Sequence, residues 1–192
     1  MALFKGTYRI ESARHPTWDY RSPGWYFVTI CTHQRAHFFG TIQNDIMGLS
    51  AAGCVAHQFW TTIPDHFDHV RLDAFVVMPN HVHGLLGIMS TPNDSVETLD
   101  SNVSTGGDNE PVDDSVSRHM SRISPDPGSV PTIIRSYKSA CTKRIRRAGA
   151  PNFAWQSRYH DRIVRSEREF HAIRQYITNN PAQWTDDRLY SP

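Results

Sequence analysis

Long hydrophobic runs are missing from this chain. Its 192 residues contain no stretch of 18 apolar positions, whereas a helix crossing a bilayer needs about 20. Residues 1–15 lack the apolar core of a secretory signal, so no signal peptide is expected. Cysteine is scarce. Cys31, Cys54 and Cys141 are odd in number and far apart, which excludes a disulfide framework and a cysteine-based zinc site and points to reduced thiols and a cytoplasmic setting. A charge excess is also missing: 20 basic residues face 19 acidic ones, for a formal net charge of +1. That balance conceals an asymmetry. Residues 90–131 hold eight of the acids and two of the bases, leaving eighteen bases against eleven acids elsewhere. The rest of the chain is therefore basic, as a protein that neutralises nucleic-acid phosphates needs to be. With 39% hydrophobic residues and five tryptophans, the length fits a single domain over 1–192 with its own core.

Two short patterns carry chemistry. His81 and His83 are two apart in an apolar, β-branched context: Phe75, Val76 and Val77 precede them, and Leu85, Leu86 and Ile88 follow. In an extended strand, residues two apart leave the same face, so two imidazoles stand side by side. Imidazole is the commonest metal ligand among side chains, although an HxH pair also occurs as ordinary strand histidines. The second pattern begins at Ser166. With Glu169 three residues on, Ser166 opens a capping box, Phe170, Ile173 and Ile177 recur at helical spacing, and Pro181 closes the helix. Tyr176 and Asn180, four apart, are neighbours on one flank of that helix.

Together these residues resemble a known family. The string VVMPNHVH, the helix IRQYITNNP, its approach WQSRYHDRIVRSEREF, and the segments WDYRSPGWYFVTICTHQR and IIRSYKSACTKRI are similar to the REP-associated branch of the single-tyrosine HUH transposases, which is IS200-like. The resemblance covers roughly residues 8–89 and 131–188. It implies a metal-dependent single-stranded DNA endonuclease and strand transferase acting on DNA hairpins through a 5′-phosphotyrosine intermediate. It implies Tyr176 as nucleophile, a divalent ion (Mg²⁺ or Mn²⁺) held by His81 and His83, and a third ligand from the tyrosine helix. Asn180 is the candidate for that ligand, with Asn179 as the alternative. A helix C-cap is the other role open to Asn180. Further implied are single-stranded or hairpin DNA as partner, a monomer or homodimer, no membrane, and association with the nucleoid when bound. Arg135 and Lys138 are candidate phosphate contacts, Arg162 and Arg165 candidate DNA contacts, Arg35 by the resemblance a candidate contact to a guide or hairpin sequence, and Tyr159 a candidate for stacking on an unpaired base. Arg162 and Arg165 are expected on opposite sides, one toward DNA and one in an ion pair. Trp155 is expected to pack in the core.

The coarse element order supports an α+β class. Strands are expected over 24–33, 70–78, 81–89 and 159–164, and helices over 45–63, 130–147 and from 166. In the helix over 45–63, Ile46, Leu49, Val55, Phe59 and Trp60 would face inward, and Gly53 would be a close-packing point. The resemblance implies a ferredoxin-like antiparallel sheet with helices on one face. Residues 90–131, rich in Ser, Asp, Pro and Gly, read as an acidic, disordered, mobile insert. Two other functions fit parts of the sequence. A histidine-triad nucleotide hydrolase also has His-apolar-His in a strand, but it needs a third histidine where Leu85 stands. A non-catalytic hairpin-binding protein derived from a transposase would keep the basic body without cleaving.

Overall fold

The structure, a computed structural model, describes residues 17–90 and 126–191. Four strands form one antiparallel sheet: β1 (Gly24–Cys31), β4 (Val70–Met78), β5 (His81–Ile88) and β6 (His160–Val164), in the order β4-β5-β1-β6. Between them in sequence lie a small hairpin of β2 (Gly40–Gln43) and β3 (Ile46–Leu49), then α1 (Ala51–Thr61), α2 (Ile63–His66) and α3 (Val130–Arg147). The helix α4 (Glu167–Asn179) follows β6, and a 3-10 turn (Pro181–Asp186) follows α4. Taking the sheet strands in chain order, this is a β-α-β-β-α-β arrangement with the second repeat's strands outermost and innermost in the ferredoxin-like manner.

The sheet is covered on both faces, not on one as expected. On β1, Tyr26, Val28 and Ile30 point one way and Trp25, Phe27 and Thr29 the other. The first set joins Val82, Leu86, Ile133, Ile134 and Tyr137 in the main core. There α1 and α3 pack on the sheet: Trp60 lies edge-on to Tyr137 at 5.2 Å, and a Cβ on Gly84 would fall 2.2 Å from the Trp60 ring. The second set faces α4, with Trp25 against Phe170 at 5.0 Å and Phe27 against Tyr176 at 6.1 Å. The extra helix is possible because that face of β1 and β5 also carries large apolar groups, Trp25, Phe27 and Leu85, which would otherwise meet water.

Most expected elements appear with ends shifted by a residue or two, and α3 spans 130–147 as expected. The helix over 45–63 does not. It starts only at Ala51, because Ser50 caps it by accepting a hydrogen bond from the Gly53 N–H at 3.1 Å. Upstream, Asn44 and Asp45 adopt φ of 50° and 62°, the left-handed pair that a two-residue hairpin turn demands. That turn folds β3 back on β2. Ile46 and Leu49 are consequently 71% and 36% exposed, while Val55, Phe59 and Trp60 do pack inward. Gly53 is a close-packing point, as its position among small residues suggests: an added Cβ would meet the Phe39 carbonyl at 2.1 Å.

The acidic insert lies outside the described residues over 91–125. Its last residues are ordered parts of the fold: Val130 and Pro131 are buried in the first turn of α3, and His69 Nε2 bonds the Gly128 carbonyl at 2.8 Å. Among the described residues, no helix is long and apolar enough to cross a membrane. All three cysteines are free thiols.

Candidate functional site

Each part of the site is placed by an element whose sequence explains it. β5 is a central strand with every residue buried, and its register sets His83 opposite Thr29 and His81 opposite Cys31. His81 and His83 therefore share the face that looks toward α4, with ring centroids 4.3 Å apart. Both are buried, at 0% and 1% exposure. On α4, Ile177 is fully buried and orients the helix, so Tyr176 and Asn180 overhang the histidines.

The polar geometry is specific. Asn80 Oδ1, which can only accept, takes a hydrogen bond from His81 Nδ1 at 2.8 Å. This fixes the ring so that Nε2 presents its lone pair. His83 Nδ1 pairs with Thr29 Oγ1 at 2.8 Å, which also turns Nε2 toward the site. The Tyr176 hydroxyl lies 3.2 Å from His83 Nε2 and donates to Asp187 Oδ2 at 3.0 Å. Asn180 Nδ2 donates to the same Asp187 oxygen at 2.7 Å. His81 Nε2 and Asn180 Oδ1 are buried and have no well-formed hydrogen bond, an arrangement that costs free energy unless something fills it. Among the described residues, His81, His83 and Asp187 place one ligand atom each within 4.8 Å of one another.

The electrostatics point the same way. Burial pushes His81 down to about 4, against the pull of Asp187. Burial, with His81 beside it, holds His83 well below the ordinary imidazole range. Both rings are thus neutral near pH 7, the form in which imidazole ligates a metal. Burial and then the Asp187 charge push Tyr176 up to about 12, so its phenolate is disfavoured without a positive charge nearby. Burial opposes ionisation of Asp187, but the Asn180 amide, the Leu189 N–H and the Tyr176 hydroxyl outweigh it and hold the carboxyl below its usual value. Two imidazole nitrogens, an amide oxygen and a carboxylate form a donor set suited to a divalent ion of the Mg²⁺, Mn²⁺ or Zn²⁺ kind. The residues present therefore fit such an ion.

The structure thus brings together His81, His83, Tyr176 and Asn180. Asn179 lies in the last turn of α4 and is exposed. Asn180 keeps helical angles (φ −56°, ψ −41°) in front of Pro181, and the chain runs on into the 3-10 turn. The α-helix ends in front of the proline as expected, with Asn180 as its C-cap, and backbone bonds from Asn180 N to Ile177 O and from Gln183 N to Asn180 O carry the chain into the 3-10 turn.

The other expected contacts are more scattered. Arg35 Nη1 donates to the Arg188 carbonyl at 3.3 Å, near the site. Arg162 pairs with Glu169 at 2.6 Å, and both line a cavity of about 510 Å³ that opens beside Tyr176 and Arg188. Arg165 lies one residue beyond β6, so strand alternation does not govern it; its N–H donates to Glu169 Oε2 at 2.9 Å. Arg135 is exposed on α3. Lys138 donates to the Gln156 and Ser157 carbonyls at the edge of a shallow groove of about 550 Å³ that also holds Lys143 and Arg146. Tyr159 is a correction: it is 9% exposed and packs in the core, so its ring faces side chains and not a base. Trp155 packs there too, as expected.

Asp187, Asn80 and Thr29 were not legible as site residues. Asp187 follows an indistinguishable Asp186, Asn80 read as part of a turn, and Thr29 read as a strand former. Only the adjacency of Asn80 to His81 could have drawn notice.

Fold and site define an α+β protein with a buried histidine pair facing a tyrosine and a carboxylate. The chain is 34% identical over 188 residues to an uncharacterized protein of Haemophilus influenzae, an alignment covering 96% of this chain and 95% of that one, and it belongs to one family with it. No family model matches the chain. Solved structures align with it as well, two of them as follows. A REP-associated tyrosine transposase bound to a REP hairpin does so at a TM-score of 0.49 and 16% identity, covering 84% of this chain and 68% of that one. A Deinococcus radiodurans protein provisionally described as a transposase does so at 0.45 and 18%, covering 86% and 95%.

Proposed function

We propose that this protein is a metal-dependent single-stranded DNA endonuclease and strand transferase, a transposase of the REP-associated tyrosine type acting on DNA hairpins. The observation that supports it best is the placement of the Tyr176 hydroxyl 3.2 Å from His83 Nε2, beside a buried nitrogen and a buried amide oxygen that have no well-formed hydrogen bond. The sequence motifs that resemble the family fall on these same residues. A binding protein has no need of a nucleophile set over a ligand cluster.

In this reading His81 Nε2, His83 Nε2 and Asn180 Oδ1 hold a divalent ion. When bound, it supplies positive charge to a phosphate oxygen and to the nearby phenol. Tyr176 Oη attacks the phosphorus, a tyrosine–phosphate bond forms, and the bond to the 3′ oxygen breaks, that oxygen taking a proton from solvent to leave a 3′ hydroxyl. The phosphate ester is conserved, so the strand is rejoined by the reverse attack without ATP. Asp187 Oδ2 is placed to receive the hydroxyl proton along its existing 3.0 Å hydrogen bond. Asn80 holds the His81 imidazole in its working tautomer, and Thr29 orients the His83 ring. Arg162 and Arg188, on the cavity beside Tyr176, meet the strand entering the site, and the groove lined by Lys138, Lys143 and Arg146 meets phosphates farther along the hairpin.

A denaturing gel tests this. Wild type and Tyr176→Phe are incubated with end-labelled single-stranded hairpins drawn from DNA flanking the gene, with Mn²⁺ or EDTA. The expected result is a protein-linked, Mn²⁺-dependent band with wild type alone, carrying the label on the 3′ side of the cut. Hairpin binding without such a band would support the non-catalytic binder instead.

A further inference from the structure

We propose that Asp187 is itself a ligand of the metal ion, so that the site is a four-ligand centre of two imidazoles, one amide oxygen and one carboxylate. This rests on the metal-dependent reading above and goes beyond a histidine pair with one helix residue.

The geometry carries the inference. Ligand atoms of a common ion, each about 2.0–2.3 Å from it, lie at most about 4.6 Å apart. The Asp187 oxygen and the two imidazole nitrogens all fall within 4.8 Å of one another, near enough for side-chain adjustment to bring the three onto one ion. Asp187 also shares its Oδ2 with Asn180 Nδ2 at 2.7 Å, so the other end of that amide, Oδ1, points away from the carboxylate without a well-formed hydrogen bond. The carboxylate is held in place by the fold. Its Oδ1 accepts from the Leu189 N–H, and the Leu189 carbonyl accepts from Asn80 Nδ2 at 3.0 Å. Asn80 Oδ1 in turn orients His81. One buried asparagine thus ties the ligand on β5 to the ligand that follows the 3-10 turn. A surface aspartate meeting the site by chance would not be built into such a closed circuit.

The chemical consequence is specific. Two neutral imidazoles and an amide leave a divalent ion with its full charge; a carboxylate offsets half of it and strengthens binding to hard cations. The protein should therefore bind Mn²⁺ in the absence of DNA, and the segment after the 3-10 turn should be part of the metal site.

Mn²⁺ binding to the full chain without DNA, followed by calorimetry and by loss of the free-ion EPR signal, tests this. Asp187→Asn keeps the shape and is expected to weaken binding about 10-fold or more, while Tyr176→Phe, which removes only the neighbouring hydroxyl, leaves it within about 3-fold. Asp187→Cys distinguishes a direct ligand from a nearby charge: with Cd²⁺ it should show a thiolate-to-cadmium ultraviolet band absent from wild type, whose own cysteines serve as the control. Wild-type Mn²⁺ affinity in Asp187→Asn, or no such band in a folded Asp187→Cys protein, would overturn the proposal even where His81→Ala and His83→Ala abolish binding. If those histidine variants also bind Mn²⁺ normally, the metal-dependent reading fails with it.

Discussion

Asn80 is fully buried and spends its whole side chain on other parts of the site: its oxygen on His81 Nδ1, its amide on the Leu189 carbonyl and Ser191 Oγ. Asn80→Ala should release the His81 ring and weaken Mn²⁺ binding by about 10–100-fold, read by calorimetry, with far-ultraviolet circular dichroism unchanged. Full affinity in that variant would show that His81 is oriented by other means. On the opposite face of the same strand, Gly84 is required by space. Its neighbour is the Trp60 ring, which an added methyl would meet at 2.2 Å. Gly84→Ala should cost ~1–3 kcal/mol of stability through overpacking, measured by urea denaturation. Little or no change would mean that Trp60 gives way freely. The motif thus serves two faces at once: His81 and His83 are site residues, while Val82 and Gly84 are core residues. Alternation along a strand made this division readable from sequence; the identity of the group meeting Gly84 was not.

At the scale of elements, α4 matters most because it carries both Tyr176 and Asn180. Its start is set by Ser166, whose hydroxyl accepts from the Glu169 N–H at 3.2 Å. The reciprocal half of the box is shifted, with Glu169 accepting from Arg165 N and pairing with Arg162. Ser166→Ala should destabilise by ~1 kcal/mol, seen in thermal unfolding, and faster amide exchange should be confined to the first turn. Loss of protection throughout α4 would mean the cap controls the whole helix. The same local rules explain which elements were legible. α3 shows an apolar stripe of Ile133, Ile134, Tyr137, Cys141 and Ile145, all buried, and nothing competes with it. Residues 45–50 also carry apolar side chains at helical spacing, but a left-handed turn at Asn44 and Asp45 and a capping serine at position 50 divert them into a hairpin. Turn chemistry there outweighs periodicity.

For the molecule as a whole, the buried histidines couple stability to pH. In the fold His81 stays neutral down to about 4, and His83 lies well below the ordinary value of 6.5. Between 6.5 and about 4 the unfolded chain therefore binds more protons than the folded one, so stability is full above that window and declines as pH falls through it. The urea midpoint should fall between about pH 7.5 and about pH 5, and less steeply in a His81→Gln, His83→Gln double variant. Equal slopes would place the dependence elsewhere. Mn²⁺ should stabilise the wild type by about 2.7 kcal/mol at a hundred times Kd, growing with the logarithm of its concentration, seen as a rising melting temperature, and should leave the double variant unmoved.

Sequence alone determined what is local: the strand carrying His81 and His83 on one face, the helix carrying Tyr176 and Asn180 on one flank, the α+β class and the concentration of acid in residues 90–131. These follow from periods of two and 3.6 residues and from capping chemistry, which act over a few positions. Tertiary structure decided what depends on distant pairing. It set α4 on the second face of the sheet, buried Tyr159, engaged Lys138 with backbone carbonyls, and brought Asp187 to the histidines from more than a hundred residues along the chain. No local pattern separates Asp187 from Asp186. Only the closing of the chain after α4, tied down through Asn80 and Leu189, makes one of them part of the site.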